Sequence, residues 1–315
     1  MEQILVTGAL GQIGSDLVDA LRQKYGTANV LSTDIRNNLD DPNYAMLDIL
    51  NKQRFREVMG DHKITQVYHL AAILSANGEW NPAKTWNVNF NAFLSLLELS
   101  NEMSIDKVFF PATIAVHGPT TPKTNTPQYT DLSPETVYGI SKVSCELWAN
   151  YYHKRYGLDV RSLRYPGVIG WKALPHGGTT DYAVEIFHAA LKGEHYTCFL
   201  DADTRLPMMY IDDAIRATIE LMDAPADQLT VRTSYNLAAM SFTPAEIAAK
   251  IQERLPNFTI DYQADFRQAI AATWSESIDD SLARKDWNWA HQYNLDNLVD
   301  EMLHQLVTNK IVTHV

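Results

Sequence analysis

The amino-acid sequence predicts an α/β fold built on a doubly wound parallel sheet, with a smaller C-terminal lobe. Over the first two-thirds of the chain, short apolar runs alternate with segments of helical periodicity. Strand, helix and strand in this rhythm are typical of a parallel sheet with helices on both faces. Beyond about residue 170 the pattern becomes less regular. We therefore expect residues 1–170 to carry the sheet, joined by elements from the C-terminal half, and residues 171–315 to form mainly the smaller lobe.

The elements follow in order along the chain. The predicted strands are apolar runs at Gln3–Thr7, Asn29–Thr33, Gln66–Leu70, Lys107–Phe110 and Asp159–Arg164. The predicted helices are Ile13–Tyr25, Trp86–Met103, a helix from Tyr138 to Tyr156, and Pro244–Leu255, which opens on its proline. Because ligands bind at the carboxyl ends of parallel strands, motifs directly after these strands are the best candidates for function.

Composition excludes several classes of protein. A net charge of −12 argues against a general affinity for nucleic acid or anionic membranes. The two cysteines, Cys145 and Cys198, have no CxxC or Cys/His spacing, so neither a disulfide framework nor a metal site is predicted. No apolar stretch reaches the roughly 18 residues of a membrane-spanning helix, and the first residues do not resemble a signal peptide. We expect a cytoplasmic protein.

A glycine-rich turn follows the first strand and opens the first helix. Gly8, Gly11 and Gly14 are spaced so that backbone N–H groups can approach a pyrophosphate, with the helix N-terminus adding partial positive charge. Gln12 and Ile13 lie in the same turn. An ordinary tight turn is the alternative, but the second strand supplies a further sign of dinucleotide binding, which indicates a Rossmann-type domain.

That sign is Asp34, at the end of the second strand. A carboxylate there can accept hydrogen bonds from the adenosine ribose hydroxyls and repels a 2′-phosphate, which favours NAD over NADP. Arg36, two residues later, keeps NADP open. Asp48 and Ile49 are candidates for an adenine contact. The cofactor prediction is therefore NAD.

Tyr138 and Lys142 form a YxxxK motif. Residues four apart share one helix face, so the Lys142 ammonium can lie beside the Tyr138 phenol and lower its pKa from about 10. Tyr138 is then a candidate general base. The alternative is a surface helix that happens to carry a Tyr and a Lys. Thr113, just after the fourth strand, can hydrogen-bond a substrate oxygen, or it can belong to a simple strand-end turn. His117 has no second ligand nearby in sequence and is interpreted as structural.

Together these motifs resemble the extended short-chain dehydrogenase/reductase superfamily, which includes the nucleotide-sugar epimerases. The resemblance spans roughly residues 4 to 170. It implies a catalytic set of Thr113, Tyr138 and Lys142, with the lysine also binding the nicotinamide ribose. It further implies cofactor contacts from residues that match the superfamily positions, namely Leu70, Ala71, Ala72, Asn87, Tyr165 and Pro166.

The C-terminal half separates members of the superfamily. A nucleotide-sugar epimerase is expected to carry an asparagine after the Tyr165-Pro166-Gly167 segment, where this chain has tryptophan and glycine. Arg205 is the obvious phosphate ligand there, and is equally well interpreted as ion-paired. The chain resembles the short-chain type of L-threonine dehydrogenases almost end to end. The resembling stretches are AAILSA, GPTTPKTNTPQYT, VYGISK, RYPGVIGW, GGTTDYAVEIF, LPMMYIDDAI, SYNLAAMSFTP and DFRQAIAATWSESIDDS. This implies metal-independent, NAD-dependent oxidation of L-threonine at C3. A sugar-nucleotide epimerase and a non-catalytic dinucleotide sensor are the alternatives.

A zwitterionic substrate needs partners for both charges. The candidates are the backbone N–H groups of Gly178 and Thr179 and the hydroxyls of Thr179 and Thr180 for the carboxylate, and Asp181 for the ammonium. Asp181 is equally a helix N-cap. Ser75, with Thr113, is a candidate to hold the alcohol oxygen. Trp274 either closes over the substrate methyl or belongs to the core.

Superfamily members commonly dimerise through two helices. The corresponding segments here are Trp86–Met103 and the Tyr138 helix up to Tyr156, whose faces are apolar enough for such an interface. We expect a homodimer.

Overall fold

The computed structural model describes residues 2–174, 177–309 and 311. The strands are β1 (Ile4–Thr7), β2 (Val30–Asp34), β3 (Tyr44–Met46), β4 (Gln66–His69), β5 (Lys107–Thr113), β6 (Asp159–Tyr165), β7 (Gly167–Ile169), β8 (Tyr196–Cys198), β9 (Leu206–Tyr210), β10 (Tyr235–Asn236), β11 (Met240–Phe242) and β12 (Ile260–Tyr262). Five of these match the predicted strands to within a few residues.

The helices lie between these strands or follow the last of them. They are α1 (Gln12–Tyr25), α2 (Lys52–Asp61), α3 (Ser75–Gly78), α4 (Pro82–Trp86), α5 (Ala92–Glu102), α6 (Val137–Tyr156), α7 (Tyr182–Leu191), α8 (Ile211–Asp223), α9 (Pro244–Arg254), α10 (Phe266–Ala271), α11 (Ser281–Trp287) and α12 (Leu295–Thr308). Short 3₁₀ helices occupy Thr27–Asn29 and Ile114–Val116.

A seven-stranded parallel sheet organises the molecule. Its order is β10-β6-β5-β4-β1-β2-β3, and each neighbouring pair is parallel. This confirms the predicted α/β class. The outermost strand β10 comes from the C-terminal half and pairs with β6. Beyond the main sheet, β11-β9-β7 and β12-β8 form small sheets of their own.

Side chains alternate between the two faces of the sheet, as the strand period of two requires. Ile4 and Val6 on β1 join a core cluster shared with α1, α7 and α8, whereas Leu5 joins a separate cluster with α2, α5 and α6. The sheet is therefore covered by helices on both faces. The cluster of Ile4 and Val6 continues into the C-terminal half.

One predicted helix is interrupted. The segment predicted as a single helix, Trp86–Met103, is divided into α4, a π-helical turn at Asn87–Asn91, and α5. A π turn inserts an extra residue into the helix and rotates the side chains beyond it. This rotation matters for the functional site.

Both cysteines are free thiols and are buried, Cys145 on α6 and Cys198 at the end of β8. In the part of the chain that the structure describes, no helix is long and apolar enough to cross a membrane. The same residues hold no cluster of three or more His, Cys, Asp or Glu placed to bind a metal.

Candidate active site

A cleft of about 750 Å³ opens at the carboxyl ends of the central strands. It is lined by every site residue that the sequence predicts except Asn87. These are Gly8, Gly11, Gln12, Ile13, Gly14, Asp34, Arg36, Asp48, Ile49, Leu70, Ala71, Ala72, Ser75, Thr113, Tyr138, Lys142, Tyr165, Pro166, Gly178, Thr179, Thr180, Asp181 and Trp274. Residues from both halves of the chain thus meet in one cavity.

The glycine-rich turn forms one end of the cleft. Gly8 has φ +68°, and a Cβ there would lie 2.7 Å from the backbone nitrogen of Ala71. A Cβ on Gly14 would lie 2.2 Å from the carbonyl oxygen of Gly8. Gly11 precedes α1 without a side-chain cap, so no side chain blocks the approach to the first turn of the helix. This backbone shape fits a dinucleotide pyrophosphate.

Asp34 lies at the end of β2 and is mostly buried. Its carboxylate accepts hydrogen bonds from the backbone N–H of Leu10 at 3.2 Å and from the N–H and Nε of Arg36, both at 3.1 Å. Arg36 also donates to the Leu10 carbonyl at 2.6 Å. The Arg36 guanidinium is therefore paired with Asp34 and the turn. Asp34 still lines the cleft, where its carboxylate can also accept hydrogen bonds from ribose hydroxyls.

The predicted catalytic side chains lie together at the centre of the cleft. Thr113 is the last residue of β5, and its hydroxyl accepts from the N–H of Ala115 at 3.1 Å and hydrogen-bonds the phenol of Tyr138. The Lys142 ammonium lies 5.7 Å from the centre of the Tyr138 ring and donates to the carbonyl of Pro111 at 2.8 Å. The end of β5 thus orients both α6 residues.

The electrostatics of Tyr138 differ from the sequence-based expectation. Burial raises the pKa of Tyr138 to about 12, and the hydrogen bond from Thr113 only partly opposes this. Burial also lowers the pKa of Lys142. The predicted lowering of the Tyr138 pKa by Lys142 is therefore wrong for this structure, because the ammonium is directed at a backbone carbonyl. The desolvation of the phenolate decides the direction of the pKa shift, and the Lys142 charge does not offset it.

The substrate end is built on the loop before α7. Ser75 and Thr179 are buried, their hydroxyl oxygens lie 3.0 Å apart, and the N–H of Thr179 donates to Ser75 Oγ at 3.3 Å. Asp181 Oδ2 accepts from the N–H groups of Gly177 and Gly178 at 2.8 and 2.7 Å. The predicted carboxylate donors Gly178 and Thr179 are thus already engaged through their backbone.

Asp181 occupies the N-cap position of α7, as the sequence allowed, but its side chain does not cap the helix. Its side chain accepts no hydrogen bond from the first turn of that helix and instead holds the two glycine N–H groups upstream. A buried carboxylate requires partners, and the glycines present the nearest donors. Burial raises the pKa of Asp181, and the two glycine N–H groups act against that rise. Asp181 is therefore the N-cap residue by position, while its side chain anchors the loop upstream.

Trp274 satisfies both of its sequence-based interpretations. Its side chain belongs to the buried core and also lines the cleft. Its carbonyl accepts a hydrogen bond from Lys123 Nζ at 2.8 Å. Arg205 does not line the cleft and pairs with Glu246 at 2.5 Å, which supports its interpretation as an ion-paired residue.

Asn87 is the prediction that the structure places elsewhere. It is exposed and accepts a hydrogen bond from Asn91 at 3.0 Å. Asn89, which the sequence prediction missed, is buried and bonds both backbone groups of Ile73, at 2.8 and 2.9 Å. The π turn directs Asn89 toward the loop after β4. The asparagines of NVNFN indicate that this segment contributes to the site, but the sequence does not show which of them faces inward.

Comparison with known proteins agrees with this geometry. Residues 4–238 match the NAD dependent epimerase/dehydratase family. The chain is 46% identical to a mitochondrial L-threonine 3-dehydrogenase of Bos taurus, over 96% of this chain and 82% of the relative. It is similar to the holo form of an L-threonine dehydrogenase from Cupriavidus necator, with 54% identity, a TM-score of 0.95, and coverage of 97% and 100%. A monomeric L-threonine 3-dehydrogenase from a metagenome has 46% identity, a TM-score of 0.94, and coverage of 96% and 98%.

These likenesses confirm the resemblance drawn from the sequence motifs, both to the superfamily and to the short-chain type of threonine dehydrogenases. The family match includes the glycine turn, the end of β5 and the Tyr138 helix. The chain belongs to the NAD dependent epimerase/dehydratase family.

Proposed function

We propose that this protein is an NAD-dependent L-threonine 3-dehydrogenase, which oxidises L-threonine at C3 to 2-amino-3-ketobutyrate. The observation that carries the proposal is the single cleft that joins the glycine turn to Thr113, Tyr138 and Lys142. Its far end is lined by small polar residues suited to an amino acid. The similarity to proteins named as L-threonine 3-dehydrogenases supports the choice of substrate.

The residues that would hold the cofactor follow the length of the cleft. Gly8, Gly11 and Gly14 would bind the pyrophosphate, with Gln12 and Ile13 beside them, and Asp34 would bind the adenosine ribose. Asp48 and Ile49 would contact the adenine. The nicotinamide end would lie against Leu70, Ala71, Ala72, Tyr165, Pro166 and Lys142. When bound, the nicotinamide supplies a hydride acceptor.

The chain itself has to move one proton. Tyr138 would take the proton of the substrate hydroxyl, and Thr113 would hold the same oxygen. Because the pKa of Tyr138 is raised to about 12, the phenolate has to be favoured by positive charge in the cleft. Lys142, 5.7 Å from the centre of the Tyr138 ring, would supply that charge by turning away from the Pro111 carbonyl during catalysis.

The substrate would occupy the loop end. The hydroxyls of Thr179 and Thr180 and that of Ser75 are proposed to bind its polar groups, and Asp181 its ammonium. Ser75 and Thr179 hydrogen-bond each other, which fixes the positions of both hydroxyls. Trp274 would cover the methyl group and exclude water.

The decisive experiment is a substrate screen by NADH absorbance. L-Threonine should reduce NAD, and UDP-sugars should neither reduce it nor be epimerised. A chelator should not change the rate. Turnover of a UDP-sugar without L-threonine oxidation would replace this proposal with an epimerase. Asp34→Ala should weaken the preference for NAD over NADP, and an unchanged preference would remove the role assigned to Asp34.

We further propose a homodimer formed through α5 and α6. Leu147, Trp148 and Tyr151 on α6 are 58%, 37% and 48% exposed, which leaves an apolar face without cover in the single chain. Sedimentation velocity should give the mass of a dimer. The mass of one chain, as in the relative described as monomeric, would overturn this part of the proposal.

A further inference from the structure

A chain of buried hydrogen bonds links the end of β5 to Trp274. His117 follows Thr113 after the 3₁₀ turn Ile114–Val116 and is fully buried. Its Nδ1 lies 2.9 Å from the hydroxyl oxygen of Ser275, which is also buried. Ser275 is the residue directly after Trp274. The element that carries Thr113 is therefore connected to the opposite wall of the cleft through one imidazole.

The loop after His117 holds the same segment from a second side. Lys123 Nζ donates to the carbonyls of Ala272 at 2.6 Å and Trp274 at 2.8 Å. Thr126 Oγ1 lies 2.6 Å from Ser275 Oγ. The backbone on both sides of the Trp274 indole is thus tied to residues that follow β5.

We propose that His117 is a positioning residue that acts through Ser275 to hold the Trp274 indole against the substrate side chain, and so sets which 3-hydroxy amino acid is preferred. This inference rests on the proposed function and adds the group that fixes the size of its pocket. Trp274 lines the cleft together with Thr113 and Thr179. A small displacement of the Trp274 indole changes the space available to one methyl group of the substrate. One such group changes the ratio of kcat/KM between two substrates by about 10- to 200-fold.

The chemistry of the imidazole suits this role. Burial, together with the nearby charges of Arg164 and Lys123, lowers the pKa of His117 to about 3, so the ring stays neutral at physiological pH. The Nδ1 atom of a neutral ring can accept a hydrogen bond from the Ser275 hydroxyl without the cost of a buried charge. The interpretation of His117 as structural is thereby extended to a consequence for specificity.

Four variants test the link. His117→Leu and Ser275→Ala each remove it, and Ser275→Ala changes the least volume. His117→Asn retains a polar group near the position of Nδ1. Ser234→Ala is the matched control, because it removes a buried hydroxyl bonded to Ser162 at 2.7 Å that does not line the cleft. Each variant is also made in a second version that carries Trp274→Phe. Subtracting the fluorescence of this second version from that of the first leaves the signal of Trp274 alone.

Two measurements are made on each variant. The first is quenching of Trp274 fluorescence by acrylamide, which needs no substrate. The second is the ratio of kcat/KM for L-threonine to that for L-serine. We expect His117→Leu and Ser275→Ala to increase quenching and to lower the ratio at least about fivefold, while His117→Asn and Ser234→Ala keep both near wild type.

Unchanged quenching in His117→Leu and Ser275→Ala would overturn the proposal. So would an unchanged threonine-to-serine ratio alongside a simple loss of thermal stability, since a merely structural residue predicts that result. If the wild type oxidised no L-threonine, the proposed function would fail separately, and the quenching measurement would still decide whether His117 holds Trp274.

Discussion

The two ends of the cleft are built in different ways. At the cofactor end, one turn of chain between Gly8 and Gly14 provides the surface, and its shape depends on missing side chains. At the substrate end, Ser75 and Thr179 meet from positions 104 residues apart and are held by their hydroxyls. The first end tolerates no added atom, whereas the second depends on a few polar bonds. The difference separates a rigid general binding surface from one that can be tuned to a particular substrate.

The largest effect is expected where the two ends meet. Tyr138→Phe should lower kcat about 10²- to 10⁴-fold, because the phenol is the proposed proton acceptor. NAD affinity should stay near wild type, which separates chemistry from cofactor binding. The wild-type rate should rise with pH above neutrality, since the phenolate fraction grows toward the raised pKa of about 12. Steady-state kinetics and fluorescence titration with NAD measure these quantities.

Tyr156→Phe is the matched control, because Tyr156 ends the same helix and is 49% exposed. A Tyr138→Phe variant with wild-type kcat would show that another group accepts the proton.

The next effect concerns the glycine turn alone. Gly14→Ala places a methyl group 2.2 Å from the Gly8 carbonyl, so the turn has to move. We expect the free energy of unfolding to fall by about 1–3 kcal/mol and the Kd for NAD to rise at least about tenfold. Urea unfolding and NAD titration measure the two.

Gly60→Ala makes the same change within α2, where the added carbon meets only Met103 Cε at 3.8 Å. It should leave both quantities near wild type. Equal behaviour of the two variants would contradict the close packing assigned to the turn.

A smaller effect is expected at the substrate loop. Asp181→Asn keeps an oxygen for the N–H groups of Gly177 and Gly178 but loses the charge. If Asp181 also binds the substrate ammonium, KM for L-threonine should rise about 10- to 100-fold, the range of a hydrogen bond to a charged group. Kinetics at saturating NAD would show the change.

Asp279→Asn is the control, since Asp279 also accepts a backbone N–H, that of Ser281 at 2.9 Å, away from the cleft. An unchanged KM in Asp181→Asn would restrict Asp181 to anchoring the loop.

The effect that is smallest near neutral pH, and grows on acidification, comes from one buried histidine at each end. His69 bonds Thr7 at 3.0 Å below the glycine turn, and His117 bonds Ser275 at the substrate end. Burial holds the pKa of each at about 3, below its ordinary 6.5. Between these values the unfolded chain binds protons that the folded chain does not. Stability should therefore fall as pH drops below about 6.5, by about 1.4 kcal/mol per pH unit for each histidine.

Urea unfolding at several pH values should show a shallower slope in His69→Asn and in His117→Asn. His304→Asn, at an exposed histidine, is the matched control and should leave the slope unchanged. A slope that neither variant changes would assign the acid sensitivity to other groups.

The sequence predicted the glycine turn well, because the shape of such a turn depends on residues that are neighbours in the chain. Gly8, Gly11, Gly14 and Asp34 occupy the cleft as predicted, and strand ends brought Thr113 to Tyr138. Spacing alone also placed Lys142 one helical turn from Tyr138. It could not show that the ammonium turns to the Pro111 carbonyl, because that depends on how deeply α6 is buried.

The substrate end was predicted only in outline. The motif identified Gly178 and Asp181 as site residues, but their mutual hydrogen bond depends on the turn that the loop adopts. Asn89 was missed because a π turn is a response to packing, and nothing local distinguishes Asn89 from Asn87. The link from His117 to Ser275 spans 158 residues, and no local pattern could indicate it.

Each half of the molecule contains one buried thiol, whose rate of chemical labelling can report local opening of that half. Cys145 lies about two turns beyond Tyr138 on α6, and Cys198 ends β8 in the C-terminal half. Burial raises the pKa of the Cys145 thiol to about 12 and that of Cys198 to about 11, so little reactive thiolate exists while either site stays closed. Labelling by a thiol reagent then proceeds only through opening of the surrounding structure. The relative labelling rates of the two cysteines would show which half of the enzyme opens first, and whether a bound ligand slows one half or both.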